Sequence, residues 1–67
     1  MKLLDVVALT EDLPAKGLKK GQVGTIVEQL AADMYEVEFS DLDGKTYAMV
    51  AVAAAHLIRL IHEPAAA

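Results

Sequence analysis

Three glycines, Gly17, Gly21 and Gly24, fall within the stretch "GLKKGQVGTIVEQL" and are followed at once by β-branched residues. Glycine permits turns and close backbone approaches, whereas β-branched residues favour extended strands. A phosphate-binding loop would need a helix to begin next, and "TIVEQL" is a poor helix start. The stretch therefore predicts a loop that turns back into a bent strand, with Gly24 supplying a β-bulge.

The rest of the chain predicts further short strands separated by turns. The predicted strands are residues 3–10, 23–30, 34–40, 45–52 and 57–61. Residues 11–22 form a long loop without apolar periodicity, "DLDG" (41–44) is a hairpin turn, and 53–57 form a single helical turn. These elements predict an all-β domain, a small five-stranded SH3-like barrel with a long first loop. Alanine favours helix, so a helix over 47–61 is the alternative.

The chain of 67 residues is short for a domain and has no cysteine, which excludes disulfides and thiolate zinc sites. His56 and His62 have no ligand partners at motif spacing, so we expect neither a metal nor a cofactor. We expect one domain over 1–63 and a frayed tail over 64–67. Oligomerisation or docking on a partner is then the remaining source of stability.

The net charge of −4 argues against nucleic acid as a partner. The only basic cluster, formed by Lys16, Lys19 and Lys20, keeps an RNA-binding loop open as an alternative, although no aromatic residue lies beside it for base stacking. No apolar run approaches the roughly 18 residues of a membrane span, and Asp5 interrupts any signal-peptide pattern. We therefore expect a cytoplasmic protein that does not enter the membrane.

The third and fourth predicted strands carry the candidate partner-binding residues, which are Met34, Glu36, Glu38, Tyr47 and Met49. Strict alternation over 34–40 places Tyr35, Val37 and Phe39 on one face and the two glutamates on the other. Both faces of the fourth strand are partly apolar, so one is covered within the chain or left for another protein. Which residues share a surface depends on hairpin register.

No residue pattern predicts catalysis, so we do not expect an enzyme. Paired carboxylates do acid–base work only in a cleft that raises one pKa, and Ser40 is the sole serine, outside any nucleophile motif. We expect structural roles for five residues: Asp5, Gly17, Gly21, Gly24 and Gly44. The carboxylate of Asp5 is expected to accept backbone N–H bonds and help close the barrel.

A resemblance covers about residues 3 to 63. The segments "LLDVVALTEDLPAKGLKKGQVGTIVEQL", "YEVEFSDLDGKTYAMVAV" and "HLIRL" resemble a family of small bacterial proteins, the domain of unknown function numbered 4926. The matching positions are Asp5, Val6, Val7, Asp12, Pro14, Gly17, Leu18, Gly21, Gly24, Thr25, Val27, Glu36, Val37, Glu38, Phe39, Asp41, Gly44 and Leu57. The resemblance implies a free-standing SH3-like barrel encoded beside a partner, and it carries no catalytic residues.

Three functional hypotheses follow. The first is a protein–protein interaction module, antitoxin-like or otherwise neutralising, that uses an apolar strand face or sheet edge ringed by Glu36, Glu38, Asp41 and Asp43. Its partner would be another protein or a second copy of the chain. The second is an RNA-binding barrel that uses the lysine loop. The third is an accessory subunit of an enzyme, similar to the SH3-like barrels of nitrile-hydratase β-type chains.

Overall fold

The computed structural model describes residues 1–61, which form five antiparallel strands in a single sheet. The strands are β1 (Val6–Leu9), β2 (Val23–Ala31), β3 (Met34–Ser40), β4 (Thr46–Ala53) and β5 (Leu57–Arg59). Two single 3-10 turns, Pro14–Lys16 and Ala54–His56, lie in the first loop and directly before β5. The all-β class, the long first loop and the helical turn before the last strand are thereby confirmed. The helical alternative over 47–61 is wrong.

The sheet runs in the order β4-β3-β2-β1-β5, so the first strand lies between β2 and the last strand. One side of this sheet encloses a single core, formed by Val7, Leu9, Leu18, Ile26, Tyr35, Val37, Phe39, Val52 and Leu57. The arrangement is a small barrel-like fold whose end strands, β4 and β5, are not hydrogen-bonded to each other. The more specific SH3-like assignment stays a prediction.

Alternation along β3 separates its side chains into two faces. Tyr35, Val37 and Phe39 are buried in the core, and the intervening Glu36 and Glu38 are half-buried on the opposite side. The predicted two-residue period of this strand is confirmed, because a half-buried antiparallel strand alternates in this way.

The pairing of β4 with β3 decides which of the two partly apolar faces of β4 is buried. Val52 is buried, and Ala48 and Val50 pack against the core. Met49 and Ala51 are exposed on the other side of the strand. The side of β4 that carries Met49 is therefore the exposed one, and the side that carries Val52 is covered by the core.

The first strand begins at Val6, three residues later than predicted. Leu4 has a positive φ of 70°, and its N–H donates to the carbonyl oxygen of Ile26 at 2.7 Å. This turn prevents the leucines before Asp5 from continuing the ladder. The segment before β1 instead hydrogen-bonds to Ile26, in the middle of β2, through the N–H of Leu4 and the carbonyl oxygen of Asp5.

The first loop forms a small hairpin of its own. Leu13 and Leu18 pair as an isolated antiparallel bridge, with Gly17 in the left-handed conformation at φ 69° after the 3-10 turn. Leu18 is only 3% exposed and belongs to the core. The loop therefore contributes a core residue that the absence of periodicity in the sequence concealed.

Gly24 does not form the predicted β-bulge. It pairs in regular register with Val7, and the irregularities of β2 lie further on, between Ile26 and Glu28 and between Gln29 and Ala31. A Cβ at position 24 would lie 2.7 Å from Cγ1 of Val37 and 2.9 Å from the carbonyl oxygen of Glu38. Glycine is required there because β2 crosses β3 too closely to admit a side chain.

The predicted boundary at residue 63, the frayed tail over 64–67 and His62 lie outside the described residues.

Candidate functional site

The side of β2, β3 and β4 that faces away from the core is organised as three rows of directly opposed residues. The rows are Ala31–Met34–Ala53, Glu28–Glu36–Ala51 and Thr25–Glu38–Met49. Opposed residues of antiparallel strands share one side of the sheet, so these nine residues form one surface, which we call the outward face. It combines three carboxylates with two methionines and several small side chains.

The three carboxylates of the outward face have no cationic neighbour within it. Glu28 is exposed, and Glu36 and Glu38 are half-buried. Within residues 1–61, none of the three takes part in an ion pair or a side-chain hydrogen bond. Their charge is therefore available to a partner, and Met34 and Met49 border it at either end of the face.

β4 forms one end of the sheet, so only β3 pairs with it among the described residues. Its eight residues, "TYAMVAVA", include no charged residue, proline or glycine. About half of the backbone N–H and C=O groups of such a strand point away from its single neighbour. β4 thus provides an uncharged open edge, and the strand next to it, β3, carries two of the carboxylates.

Tyr47 differs from the other predicted partner-binding residues because its side chain makes contacts within the chain. It is the extra residue of β4 at the register shift where β3 passes from Phe39 to Ser40. The rings of Tyr47 and Phe39 lie 6.4 Å apart, and the Tyr47 hydroxyl accepts a hydrogen bond from Nε2 of Gln22 at 3.0 Å. Tyr47 is 49% exposed, and these contacts hold its side chain outside the three rows of the outward face.

Asp41 is used within the hairpin turn rather than at the outward face. Its Oδ1 accepts hydrogen bonds from the backbone N–H groups of Asp43 and Lys45, both at 2.9 Å. Gly44 follows at a positive φ of 82°. Asp41 and Gly44 are therefore turn residues, and only the exposed Asp43 of this hairpin leaves its carboxylate without such a bond.

Asp5 links the N-terminal segment to β2 and β5. Its Oδ2 accepts a hydrogen bond from the backbone N–H of Lys2 at 2.8 Å and lies 3.6 Å from Nε of Arg59 in β5. Its backbone carbonyl accepts the N–H of Ile26 in β2 at 3.0 Å. The side chain is only 10% exposed. The structural role expected of Asp5 stays a prediction, and its pairing with Arg59 gave no signal in the sequence.

A cavity of about 240 Å³ lies beside Asp5, between the N-terminal segment and the end of β5. It is lined by Lys2, Leu3, Leu4, Asp5, Val6, Arg59, Leu60 and Ile61. The carboxylate in its wall already accepts the backbone N–H of Lys2 and lies beside Arg59, so it is engaged within the chain.

The lysines of the first loop are exposed, as expected for a solvated loop. The backbone N–H of Lys20 donates to Oδ1 of Asp12 at 2.8 Å, and that of Lys19 donates to Oε1 of Gln22. These bonds fix the loop backbone and place the carboxylate of Asp12 next to the basic cluster. This negative charge therefore partly offsets the positive charge of Lys16, Lys19 and Lys20.

Residues 1–61 contain no group of three His, Asp or Glu side chains placed to hold a metal ion. His56 instead lies 3.6 Å from the carboxylate of Glu11. The same part of the chain contains no helix long and apolar enough to span a bilayer.

A family model described as a domain of unknown function, DUF4926, matches residues 3–59. The chain belongs to this family. The matched region contains all five strands, so DUF4926 describes the whole sheet, and the family predicted from the sequence is confirmed. Membership in DUF4926 identifies the domain without assigning it an activity. No curated protein and no solved structure matches the chain.

Proposed function

We propose that this DUF4926 domain is a non-enzymatic protein-interaction module whose outward face binds a basic surface of another protein. The observation that supports the proposal is the group of three carboxylates, Glu28, Glu36 and Glu38, held on one surface of the sheet without a cation. Complementary charge steers a partner onto such a surface and disfavours partners of the wrong sign.

The methionines supply the apolar part of the same surface. Met49 is 53% exposed, and Met34 lies at the opposite end of the outward face. Methionine is flexible and polarizable, so it adapts to an incoming surface. Burial of about 100 Å² of apolar area on each, at roughly 25 cal/mol per Å², gives about 2.5 kcal/mol per residue before ordering costs.

A neutralising, antitoxin-like role would be one form of this activity, since an acidic face suits a basic partner. The accessory-subunit hypothesis differs only in the identity of the partner, and it stays a prediction. The RNA hypothesis depends on the lysine loop instead, which contributes no residue to the outward face.

The test is affinity capture from the native lysate, followed by titration calorimetry with the purified partner. The double variant Glu36→Gln/Glu38→Gln should weaken binding at least about tenfold, because two charge-assisted contacts are lost. Asp43→Asn removes the same kind of charge from the hairpin turn and should leave the affinity unchanged. Equal affinity of the wild type and the double variant would contradict the proposal.

A further inference from the structure

The two ends of the sheet differ in how they are protected from pairing with another chain. β5 is three residues long and carries Arg59, whereas β4 is eight residues long and carries no charge. Soluble proteins usually protect edge strands by keeping them short or by adding charges, proline or bulges. On β4 the register shift lies at Tyr47, near the start of the strand, so the edge from Ala48 to Ala53 keeps a regular pairing with β3.

We propose that this open edge of β4 receives an extended segment of the partner protein, which adds to the sheet as a further antiparallel or parallel strand. The inference rests on the proposed function, because it specifies how the partner of the outward face is held. Strand addition draws its affinity from backbone hydrogen bonds and its specificity from alternate side chains.

The outward face then specifies the chemistry of the added strand. Adjacent strands are about 4.8 Å apart, so Glu36 and Glu38 on β3 lie about two spacings from a strand added to β4. Ala51 is directly opposite Glu36, and its methyl group leaves room above it. A lysine or arginine beside Ala51 can therefore extend across the alanine to the carboxylate of Glu36.

The neighbouring row has a different requirement. Met49 is directly opposite Glu38 and covers the approach to it with a large apolar side chain. A residue of the added strand beside Met49 is therefore best apolar. The recognised segment carries a basic and an apolar residue two positions apart, on the same side of the strand.

A second copy of β4 does not meet this requirement. The strand "TYAMVAVA" contains no cation, so self-pairing would leave Glu36 and Glu38 of both copies unpaired. Charge complementarity therefore favours a basic segment of a different protein over a second copy of this chain.

The test is an NMR titration of the full chain with a short end-capped peptide. Every second residue of this peptide is threonine, and the residues between are alternately valine and lysine. Amide hydrogen exchange should slow by at least about tenfold at alternate residues of β4 when the peptide is saturating. A matched peptide with glutamate in place of lysine should bind at least about tenfold more weakly. A version with methylated backbone nitrogens on its pairing edge should not bind.

Two variants connect the result to the structure. Glu36→Gln should weaken binding of the lysine peptide, and Ala51→Lys should abolish it by placing a competing cation on the edge, with Asp43→Asn as the matched control. No binding by the lysine peptide overturns the strand-addition proposal. Binding that depends on Glu36 but leaves exchange in β4 unchanged also overturns it, while the proposed function stands.

The remaining outcome concerns the second copy. Protection of β4 that rises with protein concentration in the absence of peptide would identify another copy as the occupant and overturn the proposal. If β4 binds the peptide while capture of the native partner is insensitive to Glu36→Gln/Glu38→Gln, the proposed function of the outward face fails and the capacity for strand addition remains.

Discussion

Glu28 of β2 and Glu36 of β3 stand directly opposite each other on the outward face of the sheet. Like charges in directly opposed positions destabilise an antiparallel pair. No lysine or arginine occupies the three rows of that face. The fold thus tolerates a local electrostatic cost at the position where we propose that a basic partner binds.

Removing one of these charges should stabilise the protein. Glu28→Gln is expected to raise the free energy of unfolding by about 0.5 kcal/mol at low salt, because the opposed repulsion is lost. The gain should shrink at high salt, where exposed charges are screened. Urea denaturation at two salt concentrations measures both effects. Asp43→Asn, outside the rows, serves as the control, and an equal gain there would assign the effect to net charge alone.

Gly24→Ala should destabilise the fold by about 1–3 kcal/mol, because overpacking a close crossing displaces backbone as well as side chains. The added Cβ would meet the carbonyl oxygen of Glu38 at 2.9 Å, which a change of rotamer does not relieve. Thermal and urea unfolding provide the measurement. An unchanged stability would show that β2 can move away from β3 without cost.

Gly17→Ala is the informative comparison for that variant. Nothing lies within 4 Å of a Cβ at position 17, but φ is +69° there. We expect a loss of about 1 kcal/mol, from backbone strain alone. Shortening the side chain of Val37 should therefore partly relieve Gly24→Ala and leave Gly17→Ala unaffected.

Asp5→Ala should cost more stability than Arg59→Ala. The carboxylate of Asp5 is nearly buried and also accepts the N–H of Lys2, whereas the Arg59 side chain is 56% exposed. We expect about 1–2 kcal/mol for Asp5→Ala, from the lost hydrogen bond and partly desolvated ion pair. Arg59→Ala should cost well under 1 kcal/mol, as exposed ion pairs do. Equal losses from both variants, measured by urea denaturation, would contradict this assignment.

RNA binding should be weak or absent at physiological salt. The lysine loop lies close to the carboxylate of Asp12, and the whole chain is acidic. Filter binding with single-stranded and duplex RNA measures retention, which depends steeply on salt where phosphate contacts dominate. Micromolar retention that Lys19→Glu/Lys20→Glu abolishes would favour the RNA hypothesis over the proposed function.

Local patterns in the sequence determined the all-β class and most of the strand positions. The two-residue alternation from Met34 to Ser40 needs no information from elsewhere in the chain, because successive side chains of a strand point to opposite faces. The Asp43–Gly44 pair likewise marks its own turn, since the positive φ of Gly44 is a property of the turn itself. Such features are predictable because their causes lie within a few residues.

Tertiary structure alone decided which residues meet. The burial of Leu18, the ion pair of Asp5 with Arg59 and the role of Gly24 each depend on segments far apart in the chain. The opposition of Glu28 and Glu36 depends on the extra residue in β2 between Ile26 and Glu28. A shift of one residue in strand register exchanges the two faces of a strand, and register is set by packing across the whole sheet. The sequence therefore identified the strands, and only their pairing arranged the carboxylates and the open edge of β4 as one candidate binding surface.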